Sequence, residues 1–414
     1  MTRYEKLARE YGTPLYVYDL DEVEKARDQL LASLPEEFHL FYALKANPHP
    51  ELVRALRGDG TAKGCRPEIS STGELASVLE AGFDGSEVMY TGPGKTFEEL
   101  REAMSLGVRM FSTDSVTDVQ HVGQVAGELG VTAEVLLRVN SATASATTSI
   151  RMTGTPSQFG FDSETLADVL PDVRAVSHVD VVGFHFFPLS NARDEDSLIS
   201  EFQGTIALAA QLQADLDLPL KFLDIGGGFT VPYAVPGPRG TYPKLRVELG
   251  AALDTHFPGW RENGPQLACE SGRYLIGASG TLLAGVSNVK VSRGRKFVIL
   301  DAGINTFGGM SGLGRLLPVA VQPDEGAESV DQASLVGPLC TPGDILGREI
   351  KLPPLEAGDV VTIPNAGAYG PTASLLMFLG RPAPTEVVVR GDEVVSVSRI
   401  EHVRSYSQVS ADRP

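Results

Sequence analysis

Eight short apolar segments alternate with amphipathic helical patterns between residues 37 and 279, and this alternation constrains the fold more than any other feature. The predicted strands cover residues 38–45, 62–70, 88–91, 109–113, 132–140, 179–187, 221–225 and 266–270. The predicted helices include residues 50–57, 72–82, 96–106, 115–129, 163–172, 194–216 and 243–256. Because strands that alternate with helices pair in parallel, eight such units predict a closed (β/α)8 barrel, the TIM barrel.

A different pattern begins near residue 280, where strands follow one another without helices between them. These strands are predicted over residues 281–292, 297–301, 316–321, 350–352, 359–363 and 385–399. Near the N-terminus, an extended segment over residues 13–18 precedes a helix that begins at Asp19 or Asp21. We therefore expect an N-terminal segment over residues 1–36, a barrel over residues 37–279, and a C-terminal β domain over residues 280–414 that the N-terminal segment completes.

The composition excludes several classes of protein. A formal net charge of −18 argues against binding to nucleic acid or to an anionic membrane surface. No apolar run has the length of a membrane span, and the first residues lack the apolar core of a signal peptide. Cys65, Cys269 and Cys340 are too few and too scattered for a disulfide framework or a zinc site, so we expect no metal and a cytoplasmic location.

Several unusual residues fall at the C-terminal ends of the predicted barrel strands, namely Lys45, His185, Gly226–Gly228 and Glu270. Active sites of TIM barrels form at that end of the strands. A lysine there with an apolar stem is partly desolvated, which makes its amine a nucleophile able to form a Schiff base. Lys45 alone also fits a solvent-facing residue after a strand, so the prediction depends on the convergence of all four features.

These features suit one cofactor. The amides of Gly226–Gly228 are able to approach a phosphate, and the amides and guanidinium of Ser271-Gly272-Arg273 supply a second side of such a site. The alternatives are a tight turn and a helix cap with a surface arginine. An amine, a phosphate site and the Glu270 carboxylate together suit pyridoxal 5′-phosphate (PLP), whose ring nitrogen the carboxylate keeps protonated. His185 is either a residue that stacks on the ring or a core histidine.

Two loops of the predicted β domain also carry reactive side chains. Cys340 lies in a loop of helix and strand breakers over residues 337–344, and Tyr369 lies in another over residues 365–370. Cys340 is a candidate proton donor to a carbanion, and the alternative is a small buried hydrophobe. Tyr369 is a candidate contact to the phosphate or the ring, and the alternative is packing at a turn.

Several short motifs stand out in order along the chain: Tyr42-Ala43-Leu44-Lys45-Ala46-Asn47, Glu68-Ile69-Ser70-Ser71-Thr72-Gly73-Glu74, Gln158-Phe159-Gly160, Gly183-Phe184-His185, Gly226-Gly227-Gly228-Phe229, Glu270-Ser271-Gly272-Arg273, the Cys340 loop and Gly367-Ala368-Tyr369-Gly370. Together they resemble the fold-type III PLP-dependent decarboxylases, the ornithine/diaminopimelate/arginine decarboxylase group. The resemblance extends from about residue 12 to about residue 400.

This resemblance implies a role for each matched residue. Lys45 corresponds to the lysine that forms the Schiff base, His185 to the ring-stacking residue and Glu270 to the partner of the pyridinium nitrogen. The implied phosphate contacts are Gly226, Gly227, Gly228, Gly272, Arg273 and Tyr369. The implied supports around the lysine are Glu68, Arg138 and the region of Glu74. Cys340 resembles the general acid, which in this family reaches the active site of the other subunit, so a homodimer with shared active sites is implied.

The loop after Cys340 departs from the family pattern. Ornithine decarboxylases carry an acidic residue directly after the cysteine, where this chain has Thr341. Diaminopimelate decarboxylases usually carry Glu-Ser-x-Asp there and an Arg-Pro-x-x-Tyr run elsewhere, which Thr341-Pro342-Gly343-Asp344 and the run around Arg315 replace. Thr341, Asp344 and Arg315 are therefore the candidate substrate residues. After His185, the run Phe187-Pro188-Leu189-Ser190 replaces the small turn that is usual in the family.

The chain is most similar to a subgroup that decarboxylates an amino acid tethered to an acyl carrier protein. Examples are the glutamyl-carrier enzymes of aminoglycoside assembly and the methylaspartyl-carrier enzymes of macrolactam polyketide assembly. The shared phrases lie at residues 91–95, 156–160, 227–233 and 337–344. A substrate that is a neutral thioester at its distal end agrees with the missing acid after Cys340. The resemblance therefore implies PLP-dependent α-decarboxylation of a carrier-bound glutamyl or methylaspartyl unit in antibiotic biosynthesis.

Three alternatives stay open. The first is a decarboxylase of a free amino acid, of the diaminopimelate or ornithine type. The second is an inactive binding or regulatory protein, which the presence of Lys45, Glu270 and Cys340 opposes. The third is a racemase, which is opposed by Cys340 because racemases use a tyrosine as the second base. For an acidic carrier, the basic run over residues 290–296, which reads as a hairpin turn, and Arg315 are candidate docking residues.

Overall fold

The structure is a computed structural model that describes residues 2–58, 60, 63–141, 150–151, 156–308, 321 and 331–405. The chain divides into two compact units. The barrel unit comprises residues 19–280 and 365–368, and the β unit comprises residues 1–18, 281–364 and 369–414. The first boundary therefore lies after Tyr18 rather than at residue 36, and the helix that follows Tyr18 and Asp19 belongs to the barrel unit.

The barrel unit contains a ring of eight parallel strands: Phe38–Ala43, Arg66–Ile69, Met89–Tyr90, Met110–Thr113, Ala133–Asn140, Val179–Phe186, Phe222–Asp224 and Gln266–Ser271. The last of these strands pairs with the first, and the fourth pairs with the fifth, so the ring is closed. The predicted TIM barrel is thus confirmed. Short additional strands are Ile150–Arg151, Phe161–Asp162 and Leu189–Ser190.

The barrel strands alternate with helices Leu20–Ala32, Pro50–Arg57, Thr72–Glu80, Phe97–Ser105, Val116–Leu129, Leu166–Arg174, Glu195–Asp215 and Leu245–His256, with short helices Trp260–Asn263 and Arg273–Ile276. Single 3₁₀ turns cover Leu44–Ala46, Gly85–Glu87 and Gly277–Ser279. Capping side chains determine where several helices begin. At Thr96, for example, the hydroxyl accepts the Glu99 amide while the Glu99 carboxylate accepts the Thr96 amide.

The register of the barrel strands positions the candidate site. Arg138 pairs with His185, and His185 pairs with Asp224, so three polar residues lie side by side on adjacent strands. Below them, the barrel interior is filled by Phe41, Met89, Met110, Leu136, Val182, Phe222 and Ala268. The first strand ends at Ala43 and not at residue 45 as predicted, so Lys45 lies in the 3₁₀ turn Leu44–Ala46. The lysine is therefore just beyond the strand end.

The β unit contains one sheet of eight strands: Leu15–Asp19, Gly280–Ser292, Arg295–Leu300, Asp331–Val336, Ile345–Leu352, Val360–Ile363, Thr385–Arg390 and Glu393–Arg399. It also contains helix Arg3–Tyr11 and 3₁₀ turns Pro371–Ala373 and Phe378–Gly380. The N-terminal strand lies between Gly280–Ser292 and Thr385–Arg390. The prediction that the N-terminal segment completes the β domain is thus confirmed, and an apolar cluster of Leu7, Ala8, Leu15, Val17, Leu283, Val387 and Val389 holds it there.

Some predicted elements of the β unit were wrong. The span 385–399 is two strands, because Gly391 adopts φ +53° and turns the chain between them. Helix Arg3–Tyr11 and strand Asp331–Val336 were not predicted. Of the predicted strand 316–321, only Val321 lies among the described residues. In the described parts of the chain, no helix combines the length and the apolar character that crossing a membrane requires.

Candidate active site

A cavity of about 290 Å³ lies at the carboxyl ends of the barrel strands. Its walls bring together side chains from distant parts of the sequence: Lys45, Glu68, Ser70, Thr91, Lys95, Arg138, Phe159, His185, Phe187 and Glu270. Five of the predicted site residues therefore share one cavity, because parallel strands deliver their C-terminal ends to the same rim.

Lys45 lies against Glu68 in this cavity. Its Nζ is 3.5 Å from both carboxylate oxygens of Glu68, whose side chain is 2% exposed, and the lysine side chain itself is 43% exposed. The Thr91 hydroxyl donates to Glu68 Oε1 and fixes the carboxylate from the other side. The Phe187 ring lies 5.1 Å from Nζ, measured to its centroid. The amine is thus held by one buried acid and one aromatic face.

His185 lies between a hydroxyl and a carboxylate. Its Nδ1 is 2.6 Å from Ser112 Oγ, and its Nε2 is 2.9 Å from Glu270 Oε1, with the side chains of His185 and Glu270 each 2% exposed. The second contact has the distance of an ion pair but not the direction of a hydrogen bond, so Glu270 Oε1 remains available as an acceptor. Burial alone raises the pKa of Glu270, but His185 and Lys45 lower that pKa overall.

Arg138 is held next to this pair. Its guanidinium is 3.8 Å from Asp114 Oδ1 and lies over the rings of Phe159 and Phe187, 4.7 and 5.9 Å from their centroids. Asp114 Oδ1 also accepts the amide of Gly160. Gly160 has φ +76°, and a Cβ there would lie 2.8 Å from the Arg138 carbonyl oxygen. A glycine at position 160 therefore allows the chain to pass close to the backbone of Arg138.

Glu74 supports the lysine side of the cavity. Its Oε2 accepts the Ser70 amide at 2.6 Å, and its own amide binds the Ser71 hydroxyl that caps the helix. Burial raises the pKa of Glu74 to about 7, and the charge of Glu68 adds to that rise.

The glycine run after strand Phe222–Asp224 is tightly packed. A Cβ at Gly226 would lie 2.3 Å from the Phe186 carbonyl oxygen, and one at Gly227 would lie 2.6 Å from the Glu270 carbonyl oxygen. The Gly226 amide donates to Asp224 Oδ1. Among the described residues, none accepts a hydrogen bond from the amides of Gly227 or Gly228. Close packing therefore explains the glycines, and two amides remain to bind an anion.

Gly272 and Arg273 follow Glu270 at the same rim. A Cβ at Gly272 would lie 2.9 Å from the Cβ of Ala46, directly beside the turn that carries Lys45. Arg273 begins helix Arg273–Ile276 and is 9% exposed, with its guanidinium 5.9 Å from the Tyr233 ring centroid.

The remaining predicted residues belong to the β unit or lie outside the described residues. Cys340 is an exposed free thiol. Asp344 is 3% exposed, and its two carboxylate oxygens accept the amides of Ile304 and Leu339 at 2.8 and 2.7 Å. Asp344 therefore shapes the loop that carries Cys340. In the same loop, the Thr341 hydroxyl accepts a long hydrogen bond of 3.4 Å from the Gly343 amide.

Tyr369 has φ +53°, a left-handed conformation at the start of the segment that returns to the β unit. Arg315 lies outside the described residues. The basic run over residues 290–296 forms the expected hairpin, turning at Arg293 and Gly294. Two of its charges are paired within the β unit, since Arg295 contacts Glu349 and Lys296 contacts Asp331.

Sequence reasoning missed four residues that shape this cavity. Thr91, Ser112, Asp114 and Asp224 position Glu68, His185, Arg138 and Gly226 respectively. These four residues share one feature in the sequence, since each lies within one residue of the C-terminal end of a predicted strand.

The chain is similar to known proteins along most of its length. Residues 20–277 match the family described as "Pyridoxal-dependent decarboxylase, pyridoxal binding domain". An L-glutamyl-[BtrI acyl-carrier protein] decarboxylase of Niallia circulans is 30% identical, over 95% of this chain and 92% of that protein. A diaminopimelate decarboxylase of Archaeoglobus fulgidus is 32% identical, over 94% and 90% of the two chains. The crystal structure of diaminopimelate decarboxylase from Helicobacter pylori complexed with L-lysine is similar with a TM-score of 0.81, 26% identity and 95% coverage of each chain.

Proposed function

This chain belongs to the pyridoxal-dependent decarboxylases, and from that premise we propose that it decarboxylates an acidic amino acid tethered to an acyl carrier protein. The enzyme is a PLP-dependent carboxy-lyase that acts on an amino acid. The proposal concerns the substrate, which would be a glutamyl or methylaspartyl unit on its carrier in antibiotic biosynthesis. A homodimer with shared active sites is part of the same proposal.

The residues of the cavity fit the cofactor. In the cavity, Lys45 supplies the amine and Glu270 Oε1 supplies a buried acceptor without a directed hydrogen bond. Gly227 and Gly228, which follow strand Phe222–Asp224, would supply amides for the phosphate. Gly226, Gly272, Arg273 and Tyr369 are proposed to complete the phosphate site. When bound, PLP supplies an aldehyde that condenses with amines and a ring that accepts the electron pair left by the departing CO2.

The chain's own residues then have distinct tasks. Glu270 would hold a proton on the ring nitrogen of bound PLP, because the pKa of Glu270 is lowered and its carboxylate stays ionised. His185, whose Nδ1 contacts the Ser112 hydroxyl, would pack against the ring of bound PLP, while Glu68 holds the Lys45 amine. Cys340, supplied by the partner subunit, is proposed to return a proton to Cα after CO2 has left.

Two observations support a carrier-bound substrate. The Niallia relative, whose name states an acyl-carrier protein, aligns along 95% of this chain. In addition, Thr341 is uncharged and Asp344 is buried with both oxygens bound to amides, so neither offers an anion to a distal amine. Thr341, Asp344 and Arg315 remain the proposed substrate-side residues, with Asp344 acting through the shape of the loop.

A second candidate is a decarboxylase of free amino acids. It is favoured by the diaminopimelate decarboxylases, which are as similar to this chain as the carrier-dependent relative is. The two candidates differ in one respect, since a free diamino acid brings a charged distal end that a thioester lacks.

A direct comparison of substrates tests the proposal. CO2 release is measured with glutamyl- and methylaspartyl-carrier thioesters, with free glutamate and methylaspartate, and with diaminopimelate and ornithine. We expect turnover of a carrier thioester alone, and Lys45→Ala serves as the inactive control. Comparable turnover of a free diamino acid would instead establish the second candidate.

A further inference from the structure

Asp224 is a buried acid to which the proposed chemistry assigns no task. It ends strand Phe222–Asp224 and is fully buried. Its Oδ1 accepts the Gly226 amide at 2.8 Å, whereas its Oδ2 is buried without a hydrogen-bond partner among the described residues. An unpartnered buried carboxylate oxygen is costly, so its presence requires an explanation.

A second buried acid lies beside it. Ligand atoms of His185, Asp224 and Glu270 all lie within 4.8 Å of one another, and all three residues are buried. Two carboxylates this close in a site shielded from water repel each other strongly if both are ionised. Glu270 and Asp224 therefore share one environment and titrate together.

The surroundings decide which of the two holds a proton. Burial raises the pKa of Asp224 well above its ordinary value, and the charge of Glu270 raises it further. Burial acts in the same direction on Glu270, but His185, Lys45 and Arg138 lower the pKa of Glu270 overall. The asymmetry has a geometric cause, since the Glu270 carboxylate lies 2.9 Å from His185 Nε2, whereas the Asp224 carboxylate accepts a hydrogen bond from the neutral Gly226 amide.

Other ionisable groups around Asp224 also influence whether it holds a proton. The charge of Glu68 raises the pKa of Asp224, as the charge of Glu270 does, whereas the charge of Lys45 lowers it. Cys269 lies on strand Gln266–Ser271, and burial raises the pKa of its thiol, so it stays neutral and brings no charge. The net effect of these groups is to favour a neutral Asp224.

We propose that Asp224 is a positioning residue that keeps a proton on Oδ2, so that the pair carries one negative charge and Glu270 holds it. Oδ1 does not take this proton, because it already accepts the Gly226 amide. A proton on Oδ2 turns an unpartnered acceptor into a donor, in a cluster where carboxylate oxygens of Asp224 and Glu270 lie within 4.8 Å of each other. The proposal rests on the assignment of Glu270 to the ring nitrogen, and it explains how one ionised acid is maintained there beside another acid.

The same three residues would also suit a metal ion by their donor atoms alone. Lys45 and Arg138 place two cations around the same cavity, which opposes a third positive charge. The protonated acid removes the repulsion without any ion. We therefore favour the proton over a metal at this position.

Infrared difference spectroscopy of the holoenzyme tests the proposal directly. The spectrum of Asp224→Asn is subtracted from that of the wild type at pH 8, and ¹³C-labelled aspartate identifies the bands that belong to aspartate. We expect a carbonyl band of a protonated carboxylic acid that shifts with the label. A carboxylate band in its place would overturn the proposal, and this readout requires no activity.

The affinity for PLP provides a second readout. The asparagine amide is neutral and donates a hydrogen bond as the protonated acid does, so Asp224→Asn should bind PLP within about threefold of the wild type. Asp224→Ala removes the donor and should bind PLP at least about tenfold more weakly. A tenfold loss in Asp224→Asn, or equal affinity in the two variants, would overturn the positioning role.

A separate variant distinguishes this proposal from the assignment on which it rests. If Glu270→Gln leaves the absorption spectrum of bound PLP unchanged, Glu270 does not serve the ring nitrogen and the positioning role is refuted with it. The infrared band still reports in that case whether Asp224 holds a proton. Conversely, an ionised Asp224 together with an altered spectrum in Glu270→Gln would refute the proposal for Asp224 and leave the assignment of Glu270 intact.

Discussion

Tyr18 and Glu386 form a buried contact that ties the N-terminal strand to the β unit, and its strength should depend on pH. The Tyr18 hydroxyl donates to Glu386 Oε1 at 3.0 Å, with Tyr18 fully buried and Glu386 5% exposed. Burial raises the pKa of Glu386 to about 7, although the hydrogen bond from Tyr18 opposes that rise. The two strands that carry these residues are neighbours in the sheet.

The raised pKa has a definite consequence for stability. Between the ordinary pKa of 4.5 and about 7, the folded chain binds a proton that the unfolded chain has released. Stability contributed by this group is therefore present in acid and is lost as the pH rises through that interval. At about 1.4 kcal/mol per pKa unit, the loss between pH 4 and pH 8 amounts to about 3 kcal/mol.

The variant Glu386→Gln removes this dependence, because the carboxamide is neutral at every pH and still accepts from Tyr18. Hydrogen exchange of the amides in strand Thr385–Arg390 measures the free energy of opening this sheet. At pH 8, we expect roughly a hundredfold greater protection in the variant than in the wild type, and about equal protection at pH 4.5.

A matched control varies the other partner. Tyr18→Phe removes the hydrogen bond that lowers the pKa of Glu386, so in this variant the loss of protection should continue to a higher pH than it does in the wild type. Equal effects of Glu386→Gln at the two pH values, or lower protection of that variant at pH 8, would refute the reasoning.

Four further predictions concern the site and the barrel. Lys45→Ala should abolish the visible absorbance of bound PLP, and an unchanged spectrum would contradict its assignment. Cys340→Ala should slow CO2 release by at least about a hundredfold. Mixing Lys45→Ala with Cys340→Ala should restore about one quarter of the activity if subunits share sites, and no recovery would contradict sharing. Gly183→Ala places a Cβ 1.7 Å from the Phe222 carbonyl oxygen, so unfolding should become easier by about 3 kcal/mol, measured by urea denaturation; a stable variant would contradict this packing.

The barrel was predictable because its strands and helices repeat with different hydrophobic periods. Strands 38–45 and 266–270 were recognised within two residues of their observed bounds, and their pairing follows from closure. The C-terminal end of the first barrel strand, just before Lys45, was less predictable. Leu44 and Ala46 in the following turn are as buried as the strand residues, so the hydrophobic pattern does not change where the strand ends. In the β unit, the turn at Gly391 was missed although the exposed residues Arg390, Gly391 and Asp392 interrupt the run of β-forming residues there.

The sequence by itself determined which chemical groups are available and in what order along the chain they occur. A lysine, a histidine, a glycine run and a carboxylate at successive strand ends already indicated PLP chemistry, because parallel strands in a barrel end at one rim. The tertiary structure decided which groups touch. Asp224 lies beside Glu270, and Asp344 is enclosed by backbone amides, only because strand register and loop packing bring them there. The protonation states of Asp224 and Glu270 depend on those short distances, which cannot be read from the sequence.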